Sequence, residues 1–188
     1  MIATDPLAPG SDYAASVDDQ GKVGLYRLEV GCSPGTGKLK VAGGIEGAMK
    51  ESIQRAFAYL QGQKVKMGIG QAVDTTDFHV EAIDLLANHV PCEAGIALVV
   101  AIYSAVKKQS ALAGLLVLGD CSIQGNIKAV RSLTEPLQVG MDNGARRALI
   151  PLENKRSFLE VSGDIMERVD PIFFSDPMTA AMKALGMT

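Results

Sequence analysis

Residues 90–98 read VPCEAGIAL, and two adjacent side chains, Cys92 and Glu93, set the chemical question. A thiolate can attack a carbonyl carbon. At the start of a helix it gains from the positive end of the macrodipole and from backbone N–H groups able to hold an oxyanion. An ionised carboxylate is acceptor-only, and in the first turn of a helix the same dipole stabilises it with no chemistry attached. Cys92, next to an apolar helix, is equally a small buried hydrophobe. A nucleophile also needs a base, and a lysine whose pKa is lowered by burial would serve. The helix start SLTEPLQ over 132–138 has Ser132 and Glu135 at capping-box spacing, Thr134 as an alternative N-cap and Pro136 in the first turn, but no lysine. Lys128 and Arg131, just before it, are the cations placed to approach Cys92.

The other chemistry-bearing stretches read as structure. GCSPGTGK over 31–38 has five residues between Gly31 and the Gly37-Lys38 pair, and Leu39 follows. A phosphate loop has four there and then Ser or Thr, so a hairpin turn is expected and no nucleotide site. His79 and His89 lack an acid or nucleophile at triad spacing, and structural roles are expected for both. Asp77 starts a strand feeding the 85–92 loop, as an acid near the site or as a cap. Cys32, Cys92 and Cys121 are an odd set without CxxC spacing, which disfavours a disulfide framework and a zinc site and fits a reducing cytoplasm.

A mixed α/β domain must position these groups. The chain has 188 residues, 47% of them hydrophobic, with a net charge of −3, enough to bury one sizeable core and without the basic balance of a nucleic-acid surface. No apolar run is long enough to span a bilayer, and no membrane association is expected. Residues 1–21 mix Pro, Gly, Ser and Asp without a period and read as a linker or lead-in segment, leaving 22–188 as the domain. KVGLYRLEVGC and KLKVAG alternate as the strands of a hairpin, and 45–61 carries an apolar stripe at helical spacing. A strand at 78–84, a helix buried on most sides at 94–107 and tightly joined strands in 115–130 follow. Next come a helix at 134–144, a strand at 146–151, a short helix in NKRSFLEV, the strand PIFFS and a final helix in DPMTAAMKAL.

In this order the segments resemble the proteolytic domain of the Lon protease family over about residues 22–187. GKLKVAGGIEGAMKESIQRAFAYLQ resembles its glycine turn and the amphipathic helix after it, and DFHVEAI its D-I-H-V-H-V strand. LLVLGDCSIQGNI is similar to its A-M-T-G-E-I-T-L-R-G-R-V hairpin, and RALIPLENKRSFLEV to its V-I-L-P-x-x-N-x-x-D-L strand and helix. The resemblance implies a mixed-sheet α/β (α+β) fold with helices packed on the sheet. In that family the serine of G-P-S-A-G-I attacks the peptide bond and the lysine of G-G-L-K-E-K-L is its base. Setting EAGI on S-A-G-I puts Glu93 at the serine position, and setting SLTEPL on G-L-K-E-K-L puts Thr134 at the lysine position. A one-residue shift makes Cys92 the alternative nucleophile. Read this way, the chain is a scaffold without peptidase chemistry, an assembly or interaction module. Its alternative is an active ATP-dependent peptidase using Cys92 or an unconventional dyad. The chain also resembles the Lon-like component of the BREX phage-defence systems. That implies a cytoplasmic homo-oligomer, a hexameric ring or larger, with ATP and Mg used by an upstream ATPase domain and DNA as a partner of the whole assembly. No cofactor or metal is expected in this domain.

Overall fold

The computed structural model describes residues 1–187. In chain order its elements are β1 (Ser11–Val17), β2 (Val23–Pro34), β3 (Leu39–Val41), α1 (Gly47–Gln63), α2 (Gly70–Asp74), β4 (Thr76–Asp84) and α3 (Gly95–Lys107). They continue with β5 (Leu115–Val117), β6 (Asp120–Cys121), β7 (Ile127–Lys128), α4 (Thr134–Asp142) and β8 (Arg147–Pro151). A 3-10 turn (Leu152–Asn154) runs into α5 (Lys155–Leu159), and α6 (Gly163–Arg168), β9 (Asp170–Phe174) and α7 (Pro177–Ala184) complete the fold. Seven strands form one mixed sheet in the order β3-β4-β2-β1-β5-β8-β9, and β6 and β7 pair separately. Strands β1, β5, β8 and β9 run parallel, β2 runs antiparallel to both of its neighbours, and β3 is parallel to β4.

The alternation along each strand divides the core between two helical layers. Tyr26, Leu28 and Val30 of β2 turn towards α1, α3 and α7, whereas Leu25 turns to the opposite face with Leu137 and Met141 of α4 and Ile165 of α6. Helix α1 buries one stripe, including Met49, Ile53, Ala56, Phe57 and Leu60, and leaves its other side wet. Helix α3 is buried at every position from Gly95 to Ser104. A helix apolar on all sides must lie inside a layer, and α3 does, between the sheet and its flanking helices α1 and α7. Among the described residues no helix is long and apolar enough to cross a membrane.

Three sequence expectations are corrected here. Residues 11–17, within the expected lead-in, form β1 in the middle of the sheet, pairing with β2 from Ser11↔Glu29 to Val17↔Val23. The stretch DYAASV hid its strand character behind small residues; Ala14 and Ala15 are nonetheless fully enclosed. The expected β2–β3 hairpin does not form, because the long β2 spends its outer edge on β4, from Tyr26↔Asp84 to Pro34↔Thr76, and β3 joins the far side of β4 instead. Helix α4 is capped by neither Ser132 nor Thr134. Leu133, already in helical backbone, occupies the N-cap position without a side-chain cap, and the Ser132 hydroxyl donates to the Glu135 carboxylate. Helices α2 and α6 had no counterpart in the sequence reading.

Candidate functional site

A cleft of about 260 Å³ opens beyond the carboxyl ends of the parallel strands, where α/β sheets characteristically hold ligands. Its lining includes Ser16 and Val17 at the end of β1, Glu93, Gly119 and Asp120 after β5, and the continuous run Lys128 to Ser132. The structure therefore brings together Glu93 before α3 and the segment leading into α4, the two places singled out in the sequence. Thr134 is exposed on the first turn of α4 and is not among the lining residues, nor is Cys92.

The 92–95 stretch differs from the expected helix start. Helix α3 begins at Gly95 with Ala94 as its N-cap, so Glu93 precedes the first turn and no acidic residue lies within it. The backbone N–H of Glu93 donates to Ser16 Oγ at 3.1 Å and that of Ala94 to Ser52 Oγ at 3.0 Å. Two amides that could have faced an oxyanion are thus already committed to internal hydroxyls. Cys92 is fully buried, and its thiol donates to the Glu93 carbonyl at 3.7 Å. Burial pushes this thiol up to about 12, with the Ser16 hydroxyl opposing the shift and the charges of Glu93 and Asp120 adding to it. A thiol held there is protonated at neutral pH and enclosed, the opposite of a reactive cysteine's surroundings.

Asp120 holds the floor of the cleft. It is 2% exposed, accepts from Arg55 Nη2 of α1 at 2.6 Å and from the Cys121 N–H at 2.9 Å, and has Lys128 Nζ at 4.0 Å. A Cβ added to Gly95 would lie 2.1 Å from Asp120 Oδ1, so the glycine of the AGI triplet is what lets this carboxylate sit against the start of α3. One buried group thereby ties α1, β6, β7 and α3 together. On the rim, the side-chain oxygen of Asn154 accepts the Val130 N–H at 2.9 Å and its amide donates to the Val130 carbonyl at 3.1 Å. Both backbone groups of one cleft residue are fixed by a single buried side chain. Sequence reading named Lys128 and Arg131 but missed Ser16, Ser52, Arg55, Asp120 and Asn154 as parts of the site. The signal for Asn154 was its place in PLEN, similar to the family's P-x-x-N.

The remaining candidates lie elsewhere. Asp77 stands at the start of β4, the opposite end from the 85–92 loop. Its Oδ1 accepts the Thr36 and Lys38 N–H groups, each at 3.0 Å. The glycine-rich 31–38 loop is therefore wrapped round a carboxylate of its own chain, and the backbone N–H donors of Lys38 and Thr36 hold Asp77 below the usual carboxylate range. His79 Nε2 is 3.0 Å from Ser33 Oγ on the strand surface. His89, in left-handed backbone at φ 57°, donates its N–H to Asp84 Oδ2 at 2.8 Å.

Residues 20–185 match the family described as the Lon protease (S16) C-terminal proteolytic domain. The Lon-like protease BrxL of Escherichia coli O9:H4 (strain HS) is 28% identical over 188 residues, covering 100% of this chain and 27% of that protein. BrxL of Bacillus cereus (strain H3081.97) is 27% identical over 180 residues, covering 95% of this chain and 27% of its own length. The Lon protease of Buchnera aphidicola subsp. Schizaphis graminum (strain Sg) is 32% identical over 144 residues, covering 76% of this chain and 18% of that protein. The chain thus spans about a quarter or less of the curated relatives it matches.

Proposed function

Because the chain belongs to the Lon protease (S16) C-terminal proteolytic domain family, we propose that it keeps the family's cleft as an interaction module and does not cleave peptides. Glu93 occupies the position of the attacking serine and Thr134 that of the lysine base. The observation that carries this reading is the state of the 92–94 backbone: its one thiol is buried and protonated, and its amides at Glu93 and Ala94 donate to Ser16 and Ser52. An ionised carboxylate cannot replace a serine in acyl transfer, and threonine does not accept a proton near neutral pH as a lysine amine does. The cleft instead offers Glu93, Lys128 and Arg131 beside a main-chain segment fixed by Asn154, a setting suited to holding an extended polypeptide.

In this reading the domain works within a larger, ATP-dependent protein of the BrxL type. An upstream ATPase domain uses ATP and Mg, the assembly is a homo-oligomeric ring in the cytoplasm, and DNA is a partner of the whole particle in phage defence. The support for this is the similarity to BrxL along 100% of the chain. A second reading, a peptidase with Cys92 as nucleophile, draws on Lys128, the one lysine lining the cleft. Unfolded casein distinguishes the two. We expect no cleavage by the domain or by the full-length protein with ATP; cleavage abolished by Cys92→Ala would overturn the proposal.

A further inference from the structure

At the opposite end of the sheet from the cleft, the chain before β1 folds back across the starts of β1 and β5. Ile2 is buried and its N–H donates at 2.8 Å to the Asn143 carbonyl, just beyond α4. The Ala3 N–H donates to Tyr13 Oη at 3.0 Å, and the Gly10 N–H to Ser104 Oγ of α3 at 2.9 Å. Beneath this strap is a void of about 10 Å³, walled by Ala3, Asp5, Leu7, Asp12 and the 111–115 loop among others. The Asp12 side chain is enclosed there, and neither of its carboxylate oxygens has a hydrogen-bond partner among the described residues.

Among the described residues no cation pairs with the Asp12 carboxylate, although Arg146 packs against Gly114 in the wall of the void. Arg27 of β2 pairs with Glu29 through Nη2 at 2.9 Å, its buried Nε having no partner among the described residues, and Arg147 of β8 donates to the Ala113 carbonyl at 2.5 Å. Lys183 of α7 donates to the Phe173 carbonyl at 2.7 Å, and Lys107 at the end of α3 lies 5.7 Å from the centre of the Tyr103 ring. The other titratable side chains lining the void are Asp5 and Tyr13, neither of them a cation at neutral pH. We propose that residues 2–10 form an acid-closed strap, sealed while Asp12 is protonated and loosened when Asp12 ionises.

The physical basis is the cost of an ionised carboxylate with nothing to accept from, which far exceeds that of the neutral acid in the same place. Burial accordingly raises Asp12 well above its ordinary 3.8. When the proton leaves for solvent, the anion must be hydrated, and Ala3, Asp5 and Leu7 of the strap wall the void beside it. The closed state binds the proton more tightly than the open one. Closure is therefore complete at low pH and is lost as pH rises through the closed-state pKa.

The test measures solvent exchange of the Ile2, Ala3 and Gly10 amides by NMR from pH 5 to 8 in the whole protein, corrected for intrinsic base catalysis. Wild type should lose protection by up to about tenfold per pH unit between the ordinary carboxylate value and the raised closed-state pKa of Asp12, and level off above it. Asp12→Asn, the neutral isostere, should stay flat, and Asp5→Asn should behave as wild type. Flat protection in wild type, an equal slope in Asp12→Asn, or loss of the slope in Asp5→Asn would each overturn the strap. A carboxyl carbon titration of Asp12 in wild type gives a check independent of any variant. A midpoint tracking the loss of protection supports the proposal, and a midpoint near 3.8 refutes it.

Discussion

Replacing Gly95 by alanine tests the architecture of the cleft floor with a single methyl group. The new Cβ would stand 2.1 Å from Asp120 Oδ1, where ordinary contact begins at 3.4 Å. Neither partner has an inexpensive way to yield. Helix α3 is buried along its first ten residues, and turning Asp120 away breaks its contacts to Arg55 Nη2 at 2.6 Å and the Cys121 N–H at 2.9 Å. Overpacking a core costs about 1–3 kcal/mol, and disrupting a buried pair adds to that. Replacing glycine in a helix returns about 0.5–1 kcal/mol, so a net loss of about 2 kcal/mol is expected. At roughly 2–4 °C per kcal/mol for a chain of this size, Tm should fall by about 4–8 °C in a thermal melt followed by circular dichroism. In an Asp120→Ala background the same change should be neutral or stabilising, since the oxygen it strikes is gone. Gly62→Ala, in α1 with nothing within 4 Å of its added Cβ, is the control and should stabilise slightly. If Gly95→Ala stays within about 0.5 kcal/mol of wild type, or loses the same amount in both backgrounds, Asp120 is not what requires glycine there.

Four shorter predictions accompany it. Asn154→Ala strands both backbone groups of Val130 and should cost about 2 kcal/mol in urea unfolding, while increasing amide exchange along 128–132. A thiol reagent should modify exposed Cys32 first, with Cys92 and Cys121 reacting only as the protein unfolds, because burial raises their thiols to about 12 and about 11; rapid native labelling of Cys92 would contradict its assignment as a buried hydrophobe. Glu93→Ser alone should not produce casein cleavage because Thr134 supplies no base; activity from that single change would reveal another one. The lowered pKa of Asp77 means its contribution to stability is present above the unfolded value of 3.8 and is lost as pH falls through the lower folded value. Asp77→Asn should therefore flatten the acid side of a Tm against pH profile, and an unchanged profile would remove Asp77 as the holder of the 35–38 loop.

The parts of the fold legible in the sequence are those whose pattern reports burial directly. The α1 stripe, the alternation of β2 and the all-round apolar α3 correspond to a helix with one wet side, a strand serving two layers and a helix inside a layer. Strand β1 was illegible because small residues in a central strand produce no hydrophobic alternation, and its partners lie on β2 and far along the chain on β5. The position of β3 was hidden for a related reason. Strand pairing is a competition, and the gain from matching nine residue pairs between β2 and β4 outweighs the shorter loop closure of a β2–β3 hairpin.

The site follows the same division between local pattern and distant partner. Cys92 and Glu93 announced themselves by type, but what each can do depends on Ser16, Ser52 and Asp120, which are 76, 40 and 28 residues away along the chain from Cys92. The serine hydroxyls take up the 93 and 94 amides, and the enclosure that keeps the Cys92 thiol protonated comes from the packing of α3 against α1 and the sheet. A reactive cysteine needs a nearby positive charge and access to solvent. The charges that act on this one, Glu93 and Asp120, are both negative and both push its pKa upward. Burial is the largest cause that keeps this thiol protonated, and neither Glu93 nor Asp120 can give an exposed Cys92 the cation that a thiolate needs.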